Sequence, residues 1–502
     1  MRRNGHRACL RTPPLVATAV RDLAPLTGSL RREQASAPES APSLSGRARA
    51  ASALYAAVRG RLGDSRRGVL SIVSGTAAGQ LLLLLAAPLL ARLYSPSDFG
   101  VFAVLSTLAA ILGTVAAGRF ELAVPLPERD RDAHALVALG LVMALATGVV
   151  GTVVVAAARD EIAELFSQPA LRFWLWLTPW TAAAMGAVLV LNQLAIRYRR
   201  YGAIGRRNLL QYSAMLVTQV GVGVAGVRSG GMALGLAIGQ CVGALSLARG
   251  ARRRSVDEPV TARRPTLWET AVRHRRFPLL LAPSGLLNVV GLQLPVLLIA
   301  YHYGAEVAGW LGLTQRILAM PAALLGMAVA QVYLAELSRA ARGGDEERPR
   351  LLFVKASRQL AVAAAVGLLA LIFGAPSAFS ALFGEEWLNS GRYAQALAVF
   401  VATQLVASPL SQTLVVFDRQ GLQLVWDAGR VVLVTGATCA AAWSGASALA
   451  AVWAFGVSAA ISYVAGWLLS LWVVTKGRPS ASLESSGTQA SVSRRSRAGV
   501  VT

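Results

Sequence analysis

Charged residues are scarce in this sequence: they make up 15% of its 502 residues, whereas a soluble domain has about 25%. A soluble chain of this length folds as several domains with polar surfaces, and this chain lacks the side chains to build them. Hydrophobic residues account for 55% of the chain, and the mean hydropathy is +0.53. The composition excludes an ordinary soluble protein and favours one that spans a membrane.

Residues that serve metal and phosphate chemistry are also rare. The cysteines, Cys9, Cys241 and Cys439, lie far apart, which excludes a disulfide framework and a Cys-rich zinc site. The four histidines are scattered along the chain. Neither lysine, Lys355 or Lys476, stands in a Gly-x-x-x-x-Gly-Lys-Ser/Thr motif, so ATP hydrolysis by that route is excluded. We expect no metal, no cofactor and no catalytic residue.

Apolar residues occur in blocks of about 20, long enough to cross ~30 Å of hydrocarbon at 1.5 Å per residue. Their number predicts an all-α polytopic membrane protein with about 12 transmembrane helices in two six-helix bundles around a central cavity. The blocks are 69–91, 97–118, 133–157, 172–195, 208–227, 230–249, 278–301, 306–334, 357–374, 392–416, 424–442 and 446–474.

The same pattern predicts how the chain is divided. Residues 1–68 are basic and rich in Ala, Pro and Ser, and we expect a disordered cytosolic tail there. The six-helix bundles are 69–249 and 278–475, joined by a basic cytosolic linker at 250–277. A second disordered cytosolic tail follows at 476–502.

The net charge of +24 would suggest a nucleic-acid partner in a soluble protein. Here the basic residues fall almost entirely in segments that lie on one side of the membrane if both termini are cytoplasmic. The only basic residues in the predicted outside loops are Arg92, Arg159, Arg172, Arg228 and Arg392. This asymmetry is what the positive-inside rule predicts, so we expect cytoplasmic termini and no nucleic-acid partner.

A weak internal repeat supports two halves. The segment 97–102 opens the second block and 306–311 opens the eighth, and each follows a very short outer turn. Aligning Gly100 with Gly309 places Thr107 on Arg316. Repeated halves are common in secondary transporters, which bind substrate where the halves meet.

Arg316 lies in the middle of an apolar block, five residues before Pro321. A charge at the bilayer centre costs about 3 kcal/mol or more unless it faces protein or water. We therefore expect Arg316 to face an aqueous cavity, where its guanidinium can bind an anionic group such as pyrophosphate. The alternative is an ion pair inside the bundle.

Other charges in or near apolar blocks allow two interpretations. Arg119 and Glu121 close the second block and either line the cytoplasmic end of a cavity or anchor the helix at the membrane surface. Asp427 and Arg430 are three residues apart on one predicted helix, where a structural salt bridge is the default.

Amides recur in apolar surroundings, each either a hydrogen-bonding group between helices or a contact for a hydroxylated substrate. These are Gln80, Asn192, Gln193, Gln219, Asn288, Gln293, Gln315 and Gln404. The sixth block also carries glycines at four-residue spacing, which predicts close helix packing or, alternatively, a surface that slides during transport. These are Gly231, Gly235, Gly239 and Gly243.

Several functions fit these residues. A transporter of an anionic, hydroxylated substrate would use Arg316 for the anion and the amides for the hydroxyl groups. A drug or cation exporter usually needs an acidic residue in the membrane, whereas the deep charge here is an arginine. A membrane polymerase or ligase needs a substantial outer loop, and the outer loops here are short. A non-transporting scaffold would depend on the basic tails.

Short motifs run in a fixed order through residues 69–475. They are ARLYSPSDFG (91–100), RFELAV (119–124), APSGLLN (282–288), LP (294–295), AG (308–309), QR (315–316), QVY (331–333), FGEEW (383–387) and SPLSQ (408–412). In these the chain resembles the polysaccharide-biosynthesis translocase family, of the O-antigen-unit type, in the multidrug/oligosaccharidyl-lipid/polysaccharide (MOP) flippase superfamily.

The resemblance implies a flippase rather than an enzyme. It implies alternating access in a bacterial cytoplasmic membrane and a substrate built on undecaprenyl pyrophosphate, moved from the inner to the outer leaflet. Membrane lipids, H⁺ or Na⁺ as coupling ion, and polysaccharide polymerase and chain-length proteins are the implied partners. Arg316 and Arg119 fall where the family's cavity-lining cations are expected.

Overall fold

The computed structural model describes residues 75–251, 266–342 and 347–476. The predicted N-terminal tail, the predicted C-terminal tail beyond Lys476 and the central part of the predicted linker lie outside the described residues. Within the described ranges the chain folds into helices joined by short turns and has no strand. This confirms the all-α polytopic fold.

We number the long helices α1 to α12 in chain order. The helix Ala282–Arg342 is divided at Gly304, where the backbone leaves helical geometry with φ 84°. The helices are α1 (Gly75–Leu93), α2 (Pro96–Val115), α3 (Asp130–Leu165), α4 (Leu177–Arg197), α5 (Tyr201–Val224), α6 (Arg228–Ala251), α7 (282–303), α8 (305–342), α9 (Glu347–Phe383), α10 (Leu388–Leu410), α11 (Gln420–Trp443) and α12 (Ala448–Lys476).

Ten described helices are long and apolar enough to cross a membrane. The segment Phe277–Ala322, which spans α7 and the start of α8, is one of the ten, and α5 is not among them. The beginning of α5 is polar, with Arg206 and Arg207 in its second turn. The count of about twelve crossings stays a prediction.

Local sequence explains where the helices begin and end. The hydroxyl of Ser95 accepts a hydrogen bond from the backbone N–H of Asp98, and the carboxylate of Asp98 accepts one from the N–H of Ser95. This capping box, with Pro96 in the first turn, fixes the start of α2. Gly226 and Gly445 have φ of 83° and 73° and end α5 and α11, where a side chain would be strained.

Helices α2 to α6 pack on one another, and α1 joins them where Gly75 and Gly79 lie against Gly205 and Tyr212 of α5. We call α1–α6 the N-terminal set and α7–α12 the C-terminal set, whose helices likewise pack together. The main contact between the sets is that of α2 with Ala282–Arg342. The boundaries of the two bundles stay predictions.

The aligned glycines of the internal repeat meet in this contact. A side chain at Gly100 would strike the backbone of Ala305, and one at Gly309 would strike the backbone of Pro96. Ala305 and Pro96 are themselves equivalent when Gly100 is aligned with Gly309. The two helices therefore cross in a reciprocal way that a pseudo-twofold axis would produce, and only glycine permits so close an approach.

Candidate functional site

A cavity of about 200 Å³ lies in the C-terminal set, between α7, α8, α10, α11 and α12. It has room for roughly six or seven water molecules at liquid density. Its polar lining comes from Gln293, Gln315, Gln404 and Arg430, and Phe400 is among its apolar groups. The structure thus brings the predicted residues Gln293 and Gln315 together in one cavity.

Arg430 supplies the positive charge of this cavity and is 6% exposed. Its Nη2 donates to Oδ1 of Asn288 and to Oδ1 of Asp427, both at 2.9 Å, and its Nη1 donates to the Tyr463 hydroxyl at 3.0 Å. The guanidinium carbon lies 5.0 Å from the centre of the Trp426 ring. Because Asp427 balances the charge, the cavity wall is polar but close to neutral.

Tyr463 extends this network to α10. Its hydroxyl also accepts a hydrogen bond from Nε2 of Gln404, at 3.0 Å. The Nε of Arg430 is buried and has no hydrogen-bond partner among the described residues. Arg430 therefore has an Nε–H donor that no described residue uses and that an oxygen atom of a ligand could accept.

Arg316 follows Gln315 on α8 and so points about 100° further around the helix. Its Nη1 and Nη2 are buried, and neither has a hydrogen-bond partner within the described part of the chain. The structural ion pair considered from the sequence has no partner there. A buried guanidinium without a counter-charge is unfavourable and favours the binding of an anion.

Arg119 and Glu121 lie outside this cavity, at the 3-10 helix Phe120–Ala123 that follows α2. Arg119 adopts a left-handed backbone with φ 59°. Its guanidinium occupies the space that a side chain at Gly285, in α7, would need. Arg119 therefore connects the N-terminal set to the C-terminal set.

Glu121 is 2% exposed, and neither of its carboxylate oxygens accepts a hydrogen bond from the described residues. The nearest cation is Nη1 of Arg119, 3.6 Å from Oε1. Burial raises the pKa of the Glu121 carboxyl, and the Arg119 charge opposes that rise. The pair is thus weakly satisfied, unlike the pair of Asp427 and Arg430.

The remaining predicted residues lie in the N-terminal set. Gln80, in α1, has a buried Oε1 without a partner among the described residues. Asn192, in α4, accepts a hydrogen bond from Nη2 of Arg207 at 3.2 Å. Neither lines the cavity, and a substrate contact for either stays a prediction.

The glycines of α6 face α5. Side chains at these positions would meet Val222, Met215, Gln219 or Gln211, or the hydroxyl of Tyr94. The glycine face is thus a close helix–helix contact. The residues concerned are Gly231, Gly235, Gly239 and Gly243.

Arg430 and Gln404 line the cavity, and Tyr463 is hydrogen-bonded to both. The sequence names Gln404 only as one of eight amides and selects neither Arg430 nor Tyr463 for a site. The spacing of Asp427 and Arg430 predicts a structural pair, and the pair forms, but Arg430 also lines the cavity. Gln404 is one amide among many, and Tyr463 resembles any aromatic residue in an apolar helix. The sequence feature that points to this site is Arg430 itself, a second arginine inside an apolar block.

Comparisons with known proteins bear on the family and the fold. Residues 89–392 match the model of a family described as "Polysaccharide biosynthesis protein". Teichuronic acid biosynthesis protein TuaB of Bacillus subtilis (strain 168) is 26% identical over 188 residues, which are 37% of this chain and 38% of that protein. The match therefore spans well under half the length of this relative.

Solved transporter structures share the fold. An inward-facing MATE-family multidrug resistance transporter of the MOP superfamily superposes with a TM-score of 0.59 at 14% identity, over 80% of this chain and 98% of that one. The lipid II flippase MurJ, in an inward closed conformation, gives 0.62 at 11% identity, over 80% and 89%. The fold is therefore the multi-pass membrane fold of the MOP superfamily.

Proposed function

The chain belongs to the polysaccharide biosynthesis protein family, and from this premise we propose that it is a flippase for lipid-linked oligosaccharide. Its substrate is an oligosaccharide unit on undecaprenyl pyrophosphate. The protein moves this unit from the inner to the outer leaflet of the bacterial cytoplasmic membrane, with both termini in the cytoplasm. It makes and breaks no covalent bond.

The observation that carries this proposal is Arg316. Its Nη1 and Nη2 are buried without partners in the described residues, on a helix that crosses the membrane. A pyrophosphate supplies oxygen acceptors and the negative charge that such a guanidinium needs. An exported cation would instead be repelled by this charge.

The neighbouring cavity suits the sugar part of the same substrate. Gln293, Gln315 and Gln404 offer amide donors and acceptors, and Arg430 offers its Nε. Because Asp427 neutralises Arg430, this wall favours hydroxyl groups over a second anion.

Alternating access would open and close the contact between the two sets of helices. That contact has Gly100 and Gly309 at one end and Arg119 against Gly285 at the other. The gradient of H⁺ or Na⁺ would drive the cycle. A polysaccharide polymerase and chain-length proteins would receive the product.

The test is translocation of a fluorescent undecaprenyl-pyrophosphate glycan in proteoliposomes. Arg316→Ala should lower the affinity for the pyrophosphate lipid about ten- to hundredfold, which is the effect of losing about 1.5–3 kcal/mol of charge-assisted hydrogen bonding. Arg339→Ala is the matched control, because Arg339 lies on the same helix and is exposed.

Each result has a definite meaning. No translocation by the unaltered protein would exclude the flippase and favour the exporter. Normal translocation by Arg316→Ala would leave the flippase standing and exclude Arg316 as the pyrophosphate site. Equal losses in Arg316→Ala and Arg339→Ala would point to a general effect of charge removal.

A further inference from the structure

A second hollow, open to the molecular surface, lies between α9, α10 and α12, with a volume of about 290 Å³. We call it the α9–α10–α12 groove. One face of α9 contributes Ala361, Ala364, Ala365 and Leu368. Larger side chains at the three alanine positions would fill this space, so the groove follows from small residues on one helix face.

The polar atoms around the groove are bonded within the protein. The Thr403 hydroxyl donates to the backbone oxygens of Val399 and Phe400, both at 2.9 Å. The Trp467 indole donates to the Ser357 hydroxyl at 3.0 Å. The groove therefore presents hydrocarbon surface, and a hydrocarbon chain is the ligand that fits it.

Tyr463 lines the groove and contacts two residues that line the polar cavity. Its ring lines the groove, whereas its hydroxyl accepts hydrogen bonds from Arg430 and Gln404, which line the polar cavity. A single side chain thus separates a hydrocarbon compartment from one rich in amide and guanidinium groups. A ligand with a long apolar chain on a polar group would match both compartments.

We propose that the α9–α10–α12 groove binds the isoprenoid chain of the lipid-linked substrate, with the polar part of that substrate on the cavity side of Tyr463. This inference rests on the proposed function and adds a binding site for the lipid to it. The polar end of the ligand is held by hydrogen bonds, and the groove holds the first units of the chain.

The shape of the groove favours a branched chain. Four alanines, Ala361, Ala364, Ala365 and Ala402, line its walls, and their short side chains are expected to leave shallow pockets between the larger neighbours. An isoprenoid carries a methyl branch on every unit and can fill such pockets, whereas an unbranched acyl chain leaves them empty and loses dispersion contacts. The site therefore distinguishes the substrate's chain from bulk phospholipid.

Photocrosslinking of the full chain in nanodiscs tests this site. One probe is a polyprenyl pyrophosphate without sugars that carries a diazirine on an early isoprene unit, and the other is phosphatidylglycerol with a diazirine on its acyl chain. Labelled peptides are mapped by mass spectrometry. We expect the prenyl probe to label α9, α10 and α12 at the groove at least about fivefold more than the phospholipid probe.

Two tryptophan variants on α9 provide the contrast. Ala365→Trp fills the groove, and Ala363→Trp places the same side chain at an exposed position of α9 outside the groove lining. Ala365→Trp should reduce prenyl labelling of the groove several-fold, whereas Ala363→Trp should change it less than about twofold. Ala365→Leu replaces Ala365→Trp if the latter does not fold.

Equal labelling by both probes would overturn the proposal and identify the groove as an ordinary lipid contact. So would prenyl labels elsewhere, or labels in the groove that Ala365→Trp and Ala365→Leu leave unchanged. Loss of translocation with intact groove labelling would count against the proposed function alone. Translocation without groove labelling would count against this site alone.

Discussion

The hairpins α5–α6 and α11–α12 share one plan but differ in the space between their helices. Helices α5 and α11 each have 24 residues, and each ends at a glycine with positive φ, Gly226 or Gly445. Counting from the helix starts, Gln211 in α5 corresponds to Arg430 in α11. The two hairpins can therefore be compared residue by residue.

In the N-terminal hairpin, glycines allow α6 to pack directly against α5. Along α6, four glycines face α5, and a side chain at Gly243 would meet Oε1 of Gln211. The equivalent positions of α12 hold Ala451, Phe455, Ala459 and Tyr463.

At these positions α12 therefore carries larger side chains, whereas α6 has only the hydrogen atom of glycine. Phe455 and Ala459 line the cavity, and Tyr463 bonds Arg430 at the position where Gly243 contacts Gln211. The comparison teaches that one hairpin design serves as a closely packed unit in one half and as the wall of a cavity in the other.

Removing the charge of Arg430 should lower the stability most, because it disrupts the ion pair and hydrogen bonds of the C-terminal hairpin, α11–α12. Arg430→Met leaves the mostly buried carboxylate of Asp427 without its cation, which costs about 3–5 kcal/mol. We expect a large fall in the thermal unfolding temperature in detergent. The combined change Asp427→Asn with Arg430→Met should recover much of the loss.

The matched control is Gln211→Met at the equivalent position of α5. It loses the hydrogen bond from Nη1 of Arg207 to Gln211, worth about 1.5–3 kcal/mol because the donor is charged. A loss in Gln211→Met as large as that in Arg430→Met would contradict the assignment of a special role to the C-terminal hairpin.

The second-largest loss of stability is expected when a side chain is added where the helices of the N-terminal hairpin, α5 and α6, pack closely. A Cβ at Gly235 would lie 2.8 Å from the backbone oxygen of Met215, so Gly235→Val must push α6 away from α5. Overpacking of this kind costs about 1–3 kcal/mol. Gly436→Val in α11 is the control, because a side chain there meets nothing within 4 Å. Similar unfolding temperatures for both variants would show that α6 does not depend on its glycines.

Much of this fold can be predicted from the sequence. Blocks of apolar residues predict the helices, and the four-residue spacing predicts the glycine face of α6. The repeat around Gly100 and Gly309 is visible in the sequence, but their mutual contact is not, because spacing along a chain does not say which helices cross. Arg316 is found because an isolated charge in an apolar block is costly wherever the helix lies.

The cavity was hidden for a physical reason. Arg430 has an apparent partner in Asp427, so the sequence gives it a complete structural explanation. The contribution of Phe455 to the cavity and of Tyr463 to its hydrogen bonds becomes clear only by comparison with the glycines at the equivalent positions of α6. The two hairpins share no sequence motif by which these positions could be aligned. Their equivalence follows from helix ends that only the structure defines.

Tyr463→Phe sharpens the comparison with a smaller change. It keeps the ring, which lines the groove, and removes the hydroxyl that Arg430 and Gln404 contact. We expect a loss of about 1 kcal/mol in stability and weaker binding of the lipid-linked oligosaccharide, with binding of polyprenyl pyrophosphate without sugars unchanged. Equal weakening for both lipids would show that the hydroxyl does not serve the sugar part of the ligand.

The smallest effect concerns the pH dependence of the other buried pair, Glu121 with Arg119 in the N-terminal set. Burial raises the pKa of Glu121 above its ordinary 4.5. The folded protein therefore binds this proton more tightly than the unfolded chain, and stability falls as pH rises through the raised pKa. Glu121→Gln cannot ionise, so its unfolding temperature should gain on that of the unaltered protein as the pH increases from about 4.5 towards neutral. Glu128→Gln, an exposed carboxylate in the same loop, should follow the unaltered protein throughout. Parallel curves for Glu121→Gln and the unaltered protein would mean that the ion pair with Arg119 compensates the burial of Glu121.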